Sequence, residues 1–412
     1  MSDAGDRKRI LIYSHDSFGL GHLRRCRTIA QALAAGAPSV SVLIVSGSPM
    51  IGRFDFGERV DFVRIPGVIK LSNGDYTASG LDFDIGETVA MRSSIIRHTA
   101  SVFDPDLFIV DKEPLGLRGE VRDTLFDLRD AGCPLILGLR DVLDDPAALA
   151  REWARKGAAD AVRDLYDQVW VYGLPQIYDP LAGQELPPSV GRKTSFTGYL
   201  RRGLPEDWAG GGDRPHPPQM PGDGFILVTP GGGGDGERLV DWVMRAYETG
   251  SDLPHRAIIV LGPFMAAARQ RGFRDRAAAL AAVDIMTFDA HIEVLMARAE
   301  GIVAMGGYNT FCEILSFDKP ALLVPRSAPR REQLLRAARA RDLGLTAMLD
   351  GRGARPANTM VTALRQLSQQ PRPSARVIPG ILDGSHNLLR LTRQSLATAR
   401  PSLRATAGRA VR

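Results

Sequence analysis

RILIYSHDSFGLGHLRRCRTIAQAL, residues 9–33, reads as a strand, a glycine turn and a helix in succession. Ile10 to Tyr13 form a short apolar run, Gly19 and Gly21 permit a tight turn, and Ala30, Leu33 and Ala34 fall on one stripe of the following helix. Working outward, the alternation continues through SVLIVSG, a helical stretch at 86–101, DLFIVD, 115–131, PLILGLRD, 148–165 and QVWVYG. Strands separated by helices of this length imply a parallel sheet covered on both faces.

The stretch 201–224, RRGLPEDWAGGGDRPHPPQMPGDG, concentrates Gly and Pro without an apolar repeat and reads as an interdomain linker. Beyond it the alternation restarts: FILVTP, a glycine loop, 236–248, RAIIVLGP, VDIMTF, 290–299, GIVAMG, 309–316, ALLVP and a helix over 329–342. The expectation is an α/β chain of two doubly wound, Rossmann-like domains, 1–200 and 225–383, facing an interdomain cleft. A helix over 384–399 is read as packing back on the first domain, and 400–412 as a disordered basic tail carrying Arg400, Arg404, Arg409 and Arg412.

Composition narrows the function classes. At 412 residues, 44% hydrophobic and 24% charged, the chain has material for two cores of ordinary size. The first apolar run is far too short for a signal segment or a membrane span, so a cytoplasmic protein is expected. Cys26, Cys133 and Cys312 lack the spacing of a zinc site or a disulfide framework and read as buried thiols. A formal charge of +5 suits an anionic partner. Because the basic residues are scattered and aromatics make up only 7%, nucleic acid is not the expected one.

The strand-end loops carry the chemistry. His22 follows the first glycine turn at a helix start, where an imidazole stays neutral and can act as a general base. Arg24 stands where G-x-G-x-x-G needs its third glycine, and no acidic residue ends SVLIVSG, which argues against NAD or FAD. In FILVTPGGGGDGERLVDWV, Gly231, Gly232, Gly233 and Gly234 open their amides to an oxygen-rich ligand before a helix, without a Walker lysine. AMGGYNTFCEILSFDKPALLVP repeats the device with Gly306 and Gly307, adds Asn309 or Thr310 as cap, and sets Glu313 on the first helical turn, where it can accept ribose hydroxyls. Glu332 and Gln333 open a further helix among Arg326, Arg330 and Arg331.

Together these loops resemble the nucleotide-sugar site of glycosyltransferase family 28, most closely over 288–337. Phe288, Gly307, Thr310, Glu313, Pro320, Pro325 and Gln333 fall on that family's pattern. The resemblance implies the GT-B architecture. It gives His22 an acceptor-facing role, Gly231 to Gly234 the diphosphate and Glu313 the ribose, with Gly19, Gly21, Phe288, Asp289, Gly306, Gly307, Asn309, Thr310, Glu332 and Gln333 around the donor. Asp318-Lys319 before Pro320, Arg336 where an Asn is common, and Asp289 in a base-contacting loop depart from the pattern. The motif GLGHLRRCRTIAQAL is also similar to that of the UDP-sugar hydrolases of pseudaminic acid synthesis, which makes a nucleotide-sugar hydrolase the alternative.

The expected reaction is inverting, metal-independent hexosyl transfer, N-acetylhexosaminyl included, from a nucleotide-diphosphate sugar, UDP-linked by resemblance, to an acceptor hydroxyl. No cofactor is expected beyond this co-substrate. His22 is the expected base, with Asp111 or Glu113 orienting or replacing it; Lys112, Arg140, Asp141 and Tyr172 are placed on the acceptor side. Two D-x-D pairs, at 82–84 and 104–106, are read as structural rather than as metal ligands. A carbohydrate or lipid-linked acceptor is expected, the latter with peripheral membrane contact through IPGVIKL, residues 65–71.

Overall fold

The computed structural model describes residues 7–15, 20–70, 76–204, 224–232 and 234–398. Gly19, Gly233, most of 201–224 and the 400–412 tail lie outside them. Lys8–Ser14 forms strand β1, whose last five residues are all buried, the pattern of a central parallel strand with helices on both faces. It continues into β2 (Val40–Ser46), β3 (Val60–Arg64), a small antiparallel hairpin of β4 (Val68–Lys70) and β5 (Tyr76–Ala78), then β6 (Leu107–Asp111), β7 (Leu135–Arg140), β8 (Gln168–Tyr172) and β9 (Thr194–Phe196). The main sheet runs β3-β2-β1-β6-β7-β8-β9 with every neighbouring pair parallel.

The covering helices are α1 (Gly21–Gly36), α2 (Ile85–Phe103), α3 (Arg122–Asp130), α4 (Pro146–Lys156), α5 (Ala158–Asp164) and α6 (Pro188–Arg192). The single helix expected over 148–165 is two, because Gly157 adopts a left-handed φ of 62° and ends α4. The helix expected over 115–131 becomes regular only at Arg122, after a 3₁₀ turn over Leu117–Gly119.

The second sheet has the same winding. Strands β10 (Phe225–Thr229), β11 (Arg256–Val260), β12 (Val283–Met286), β13 (Gly301–Ala304), β14 (Ala321–Leu323) and β15 (Ala347–Met348) run in the order β12-β11-β10-β13-β14-β15, all parallel. Its helices are α7 (Glu237–Glu248), α8 (Ala267–Ala277), α9 (Ile292–Arg298), α10 (Tyr308–Ser316), α11 (Glu332–Asp342) and α12 (Ala357–Leu367).

Contacts divide the chain into two compact units. One holds the residues up to Leu200 together with the C-terminal segment from Asp383, and the other runs from Arg201 to Leu382. The C-terminal helix α13 (Gly384–Thr398) is tied to the first unit: Asn387 donates to the Thr197 carbonyl at 2.9 Å, Arg393 to the Gly36 carbonyl at 2.9 Å. Arg202 belongs to the second unit, donating through its backbone N–H to Ser316 Oγ at 2.9 Å and through Nη2 to Asn309 Oδ1 at 2.8 Å. Each unit has its own apolar core on its sheet. No described helix is long and apolar enough to cross a membrane. Of the IPGVIKL stretch, Ile65 and Val68 are core residues; Ile69 is the one that reaches the surface among its described aliphatics.

In both sheets the first strand has its successor on one side and a later-returning strand on the other. These switch points, β1/β6 and β10/β13, leave crevices at the carboxyl ends of the strands, where open α/β sheets take their ligands.

Candidate active-site residues at the two switch points

At β1/β6 the carboxyl ends deliver His22 and Asp111. His22 is the second residue of α1, whose N-terminus carries no side-chain cap, and Asp111 is the last residue of β6. His22 Nδ1 and Asp111 Oδ2 are 2.5 Å apart. The carboxylate is 1% exposed and accepts from Arg25 as well: Nε to Oδ1 at 2.8 Å, Nη2 to both oxygens at 2.7 Å. Arg25 Nη2 also lies 3.0 Å from His22 Nδ1, but a carboxylate at 2.5 Å requires the proton on Nδ1, so that nitrogen donates to Asp111. The basic lone pair then belongs to Nε2.

Burial is the main influence on His22 and drives its pKa down to about 4; Asp111 opposes this without reversing it. Burial also works to raise Asp111, but the Arg25 guanidinium and His22 override it and hold the carboxyl far below its usual range. The pair at neutral pH is thus a neutral imidazole beside an ionised, fully engaged carboxylate. Asp111 fixes the His22 ring as a carboxylate fixes the histidine of a hydrolytic triad, and its own oxygens are already engaged by Arg25 and His22. Arg25 went unnoticed in the sequence, although its spacing of three from His22 puts both on one face of α1.

Glu113 is held differently. Its Oε1 meets Lys112 Nζ at 2.9 Å and its Oε2 meets Lys156 Nζ at 2.8 Å. Burial raises its pKa, yet Lys112, His15 and Lys156 keep it well below the ordinary value, so it is a paired anion and not a proton acceptor. Lys112 takes a left-handed φ of 69° directly after the strand, a conformation a non-glycine residue adopts only where its surroundings enforce it.

The other acceptor-side candidates are unevenly placed. Arg140 ends β7 and is partly buried. Asp141 is fully buried, accepting from Tyr199 Oη and from the Val142 N–H, both at 2.8 Å. Tyr172 is equally buried, its hydroxyl lying over Gly138, where any β-carbon would collide with it. Asp141 and Tyr172 are therefore framework. So are Asp84, which caps α2 in a capping box, and Asp106, which accepts from Lys8 Nζ and the Arg9 N–H.

At β10/β13 the residues are of another kind. Gly231 has φ 81° and Gly306 φ 77°, turns that an L side chain resists. Gly262, at the end of β11, has φ 91°, and a β-carbon there would stand 2.5 Å from the Gly232 carbonyl carbon. Gly232 also accepts from the Phe264 N–H at 3.0 Å, so the first glycine loop rests on the second strand's end. Helix α10 starts at Tyr308 with Gly307 as cap and no side-chain cap hydrogen bond. The expected capping by Asn309 gives way to the Arg202 bond, and Thr310 is buried inside the helix. Glu313, in the second turn rather than the first, is fully buried.

Gly21 and Gly307 need no glycine for backbone reasons: neither has a positive φ, and a β-carbon at either would meet nothing described within 4 Å. Phe288 and Asp289 follow β12, Asp289 accepting from the His291 N–H at 2.7 Å. Glu332 and Gln333 open α11, and both answer to Arg326: Nη2 donates to Glu332 Oε1 at 2.6 Å, and the backbone N–H lies 3.3 Å from Gln333 Oε1. Arg326 Nε also pairs with Asp235 Oδ2 at 2.7 Å, tying the glycine loop to the strand-end loop after β14. Arg336, the sequence departure, is fully buried, donating to the Gly306 carbonyl at 3.0 Å and standing over the Tyr308 ring.

Residues 261–376 match the glycosyltransferase family 28 C-terminal domain, a span that runs from the end of β11 past α12. The fold of the chain is similar to the glycotransferase of kitacinnamycin (13% identity, 96% of this chain and 100% of that one, TM-score 0.63). It is likewise similar to MurG of Acinetobacter baumannii (14%, 94% and 99%, TM-score 0.56). Phytolacca americana UGT2, solved with UDP-2-fluoro-glucose and pterostilbene, shares the fold at 16% identity, 94% of each chain and a TM-score of 0.56. The chain is a glycosyltransferase of GT-B fold. No curated protein matches it in sequence. In this glycosyltransferase the matched family domain supplies Phe288, Gly306, Gly307, Glu313, Glu332 and Gln333, while His22, Asp111 and Arg25 lie outside it.

Proposed function

We propose that the enzyme transfers a hexosyl group, N-acetylhexosaminyl included, from a UDP-sugar to an acceptor hydroxyl with inversion, and that His22 is the base. The observation carrying this reading is the His22–Asp111–Arg25 cluster: a neutral imidazole with its proton fixed on Nδ1 by a carboxylate that cannot itself accept one. His22 Nε2 takes the acceptor proton, the acceptor oxygen bonds to the anomeric carbon from the face opposite the leaving group, and the carbon–oxygen bond to the nucleoside diphosphate breaks with its electron pair.

The departing diphosphate is met by the amides of the 231–234 and 306–307 loops and by the positive end of the α10 dipole, and this scheme gives a divalent ion no part. Donor choice falls to Phe288, Asp289, Glu313, Glu332 and Gln333, and the acceptor is a carbohydrate or a lipid-linked one, reached from the cytoplasmic face of a membrane.

The test is a panel of UDP-, GDP- and dTDP-sugars with and without bacterial lipid extract, following nucleoside diphosphate and free sugar for the wild type and His22→Ala. Release of UDP that depends on extract, persists in chelator and is lost in His22→Ala is the expected result. UDP and free sugar released together without extract establish the nucleotide-sugar hydrolase instead.

A further inference from the structure

The segment YSHDSFGLGH holds a second histidine that the proposed reaction leaves unused. His15 follows β1, is 4% exposed, and lies edge to face with His22, ring centroids 5.6 Å apart and planes at 81°. Its Nδ1 is 3.3 Å from the hydroxyl of Tyr13, two residues back on the strand.

That hydroxyl has a single proton, and its destination is fixed. Tyr13 Oη is 2.5 Å from Glu120 Oε1, while Glu120 is gripped by Arg92 through Nε at 2.6 Å and Nη2 at 2.7 Å and can only accept. Tyr13 therefore donates to Glu120. Its oxygen accepts from the Leu117 N–H at 3.3 Å and, at the same distance, from His15, so the proton of the neutral His15 ring sits on Nδ1. All four residues are buried, and the far end of the chain reaches the loop after β3, where Arg92 Nη1 donates to the Pro66 carbonyl at 2.6 Å. An ion pair this deep costs more desolvation than an apolar pair of the same size, so packing β1 alone does not account for it.

We propose that His15 is a positioning residue for His22, its ring held in one orientation and one tautomer by the Arg92–Glu120–Tyr13 relay so that its edge-to-face contact fixes the imidazole of the proposed base. The two histidines then form a matched pair. Each carries its proton on Nδ1, one set by Asp111 directly and the other by Glu120 through a tyrosine hydroxyl. The charged groups facing His15 are Glu113, Lys112 and Lys156, besides His22; burial outweighs them all and keeps the ring neutral. The inference rests on the assignment of His22 as base.

The experiment reads the histidine rings themselves and needs no acceptor. In full-length protein with ¹⁵N-labelled histidine, ring nitrogen signals give tautomer and titration midpoint, with His15 and His22 assigned by their loss in His15→Phe and His22→Ala. Both wild-type rings should show a protonated Nδ1 and a bare Nε2 at neutral pH. In Tyr13→Phe the His15 signal should become a tautomer mixture, and the His22 midpoint should rise from its acid position by about one pH unit as the ring loosens towards water. His15→Phe, which keeps an aromatic edge but no donor, should move His22 the same way and serves if Tyr13→Phe does not fold. His22 signals unmoved in a folded variant of either kind overturn the proposal. A wild-type His22 with a bare Nδ1 overturns the base assignment instead, whatever His15 does.

Discussion

The two sheets are wound alike and furnished in opposite ways. At β1/β6 the strand ends present side chains in a packed arrangement: His22, Asp111 and Arg25 joined within hydrogen-bonding distance, Glu113 clamped by two lysines, His15 on its relay. At β10/β13 they present backbone: Gly231 and Gly306 at positive φ, Gly262 pressed on Gly232, and a helix start capped by Gly307 with no side-chain cap. In the proposed reaction one topology thus serves two tasks. Moving a proton needs a titratable group in a fixed tautomer, which takes buried partners; holding a diphosphate needs several donors converging without side chains in the way.

The largest effect expected from breaking this contrast is at Asp111. Asp111→Asn puts an amide against His22 and favours the wrong tautomer, so turnover should fall by up to about 10⁴-fold, the size of the corresponding change in a serine-protease triad, with donor affinity little altered. The same change leaves Arg25 buried without its carboxylate, and denaturant melts should report a loss of about 3–5 kcal/mol.

Gly262→Ala attacks the other region. Its β-carbon meets the Gly232 backbone, and UDP affinity measured by calorimetry should fall at least tenfold, about 1.4 kcal/mol, whereas Gly272→Ala, with open space around it in α8, should leave it unchanged.

Arg326→Gln should cost less. It unties Asp235 and Glu332; the charged hydrogen bond to Glu332 is worth about 1.5–3 kcal/mol at most and the ion pair with half-exposed Asp235 about 0–1 kcal/mol, so a several-fold rise in donor KM is the expected reading.

The smallest effect is in pH. A base must be unprotonated, so turnover should be flat near neutrality and decline as pH falls towards about 4, the His22 value. Stability shifts the same way: a histidine whose pKa drops on folding from 6.5 leaves the unfolded chain the better proton binder, so its contribution is complete above 6.5 and lost as pH falls towards 4. Asp111, also depressed on folding, adds a loss in still stronger acid.

Much of this was legible in the sequence because its signals are local. Apolar runs such as ILIY and FILV mark the central strands, and the glycines after FILV mark the turn that follows β10, where Gly231 takes a positive φ. What the sequence conceals is partnership across distance. Asp111 and Glu113 differ by two positions, yet one meets His22 and Arg25 and the other two lysines; only the β1/β6 pairing decides which. Asp141 and Tyr172 look like cleft residues at strand ends and turn inward, because Tyr199 and the bare Gly138 receive them. Asn309 reads as a cap until Arg202, more than a hundred residues away, takes its side-chain oxygen. His15 carries no signal of its own in the sequence, because its partner Tyr13 meets Glu120 and Arg92 only in the fold.

The central claim is that proton transfer belongs to His22 and donor binding to the glycine loops, and one preparation of His22→Ala tests both. UDP affinity by calorimetry and UDP release from the preferred UDP-sugar in the presence of extract should be measured on the same protein. An unchanged Kd and turnover lower by about 10²–10⁴-fold are expected. Turnover at the wild-type level, or a loss of activity that follows wholly from a loss of UDP binding, contradicts the claim.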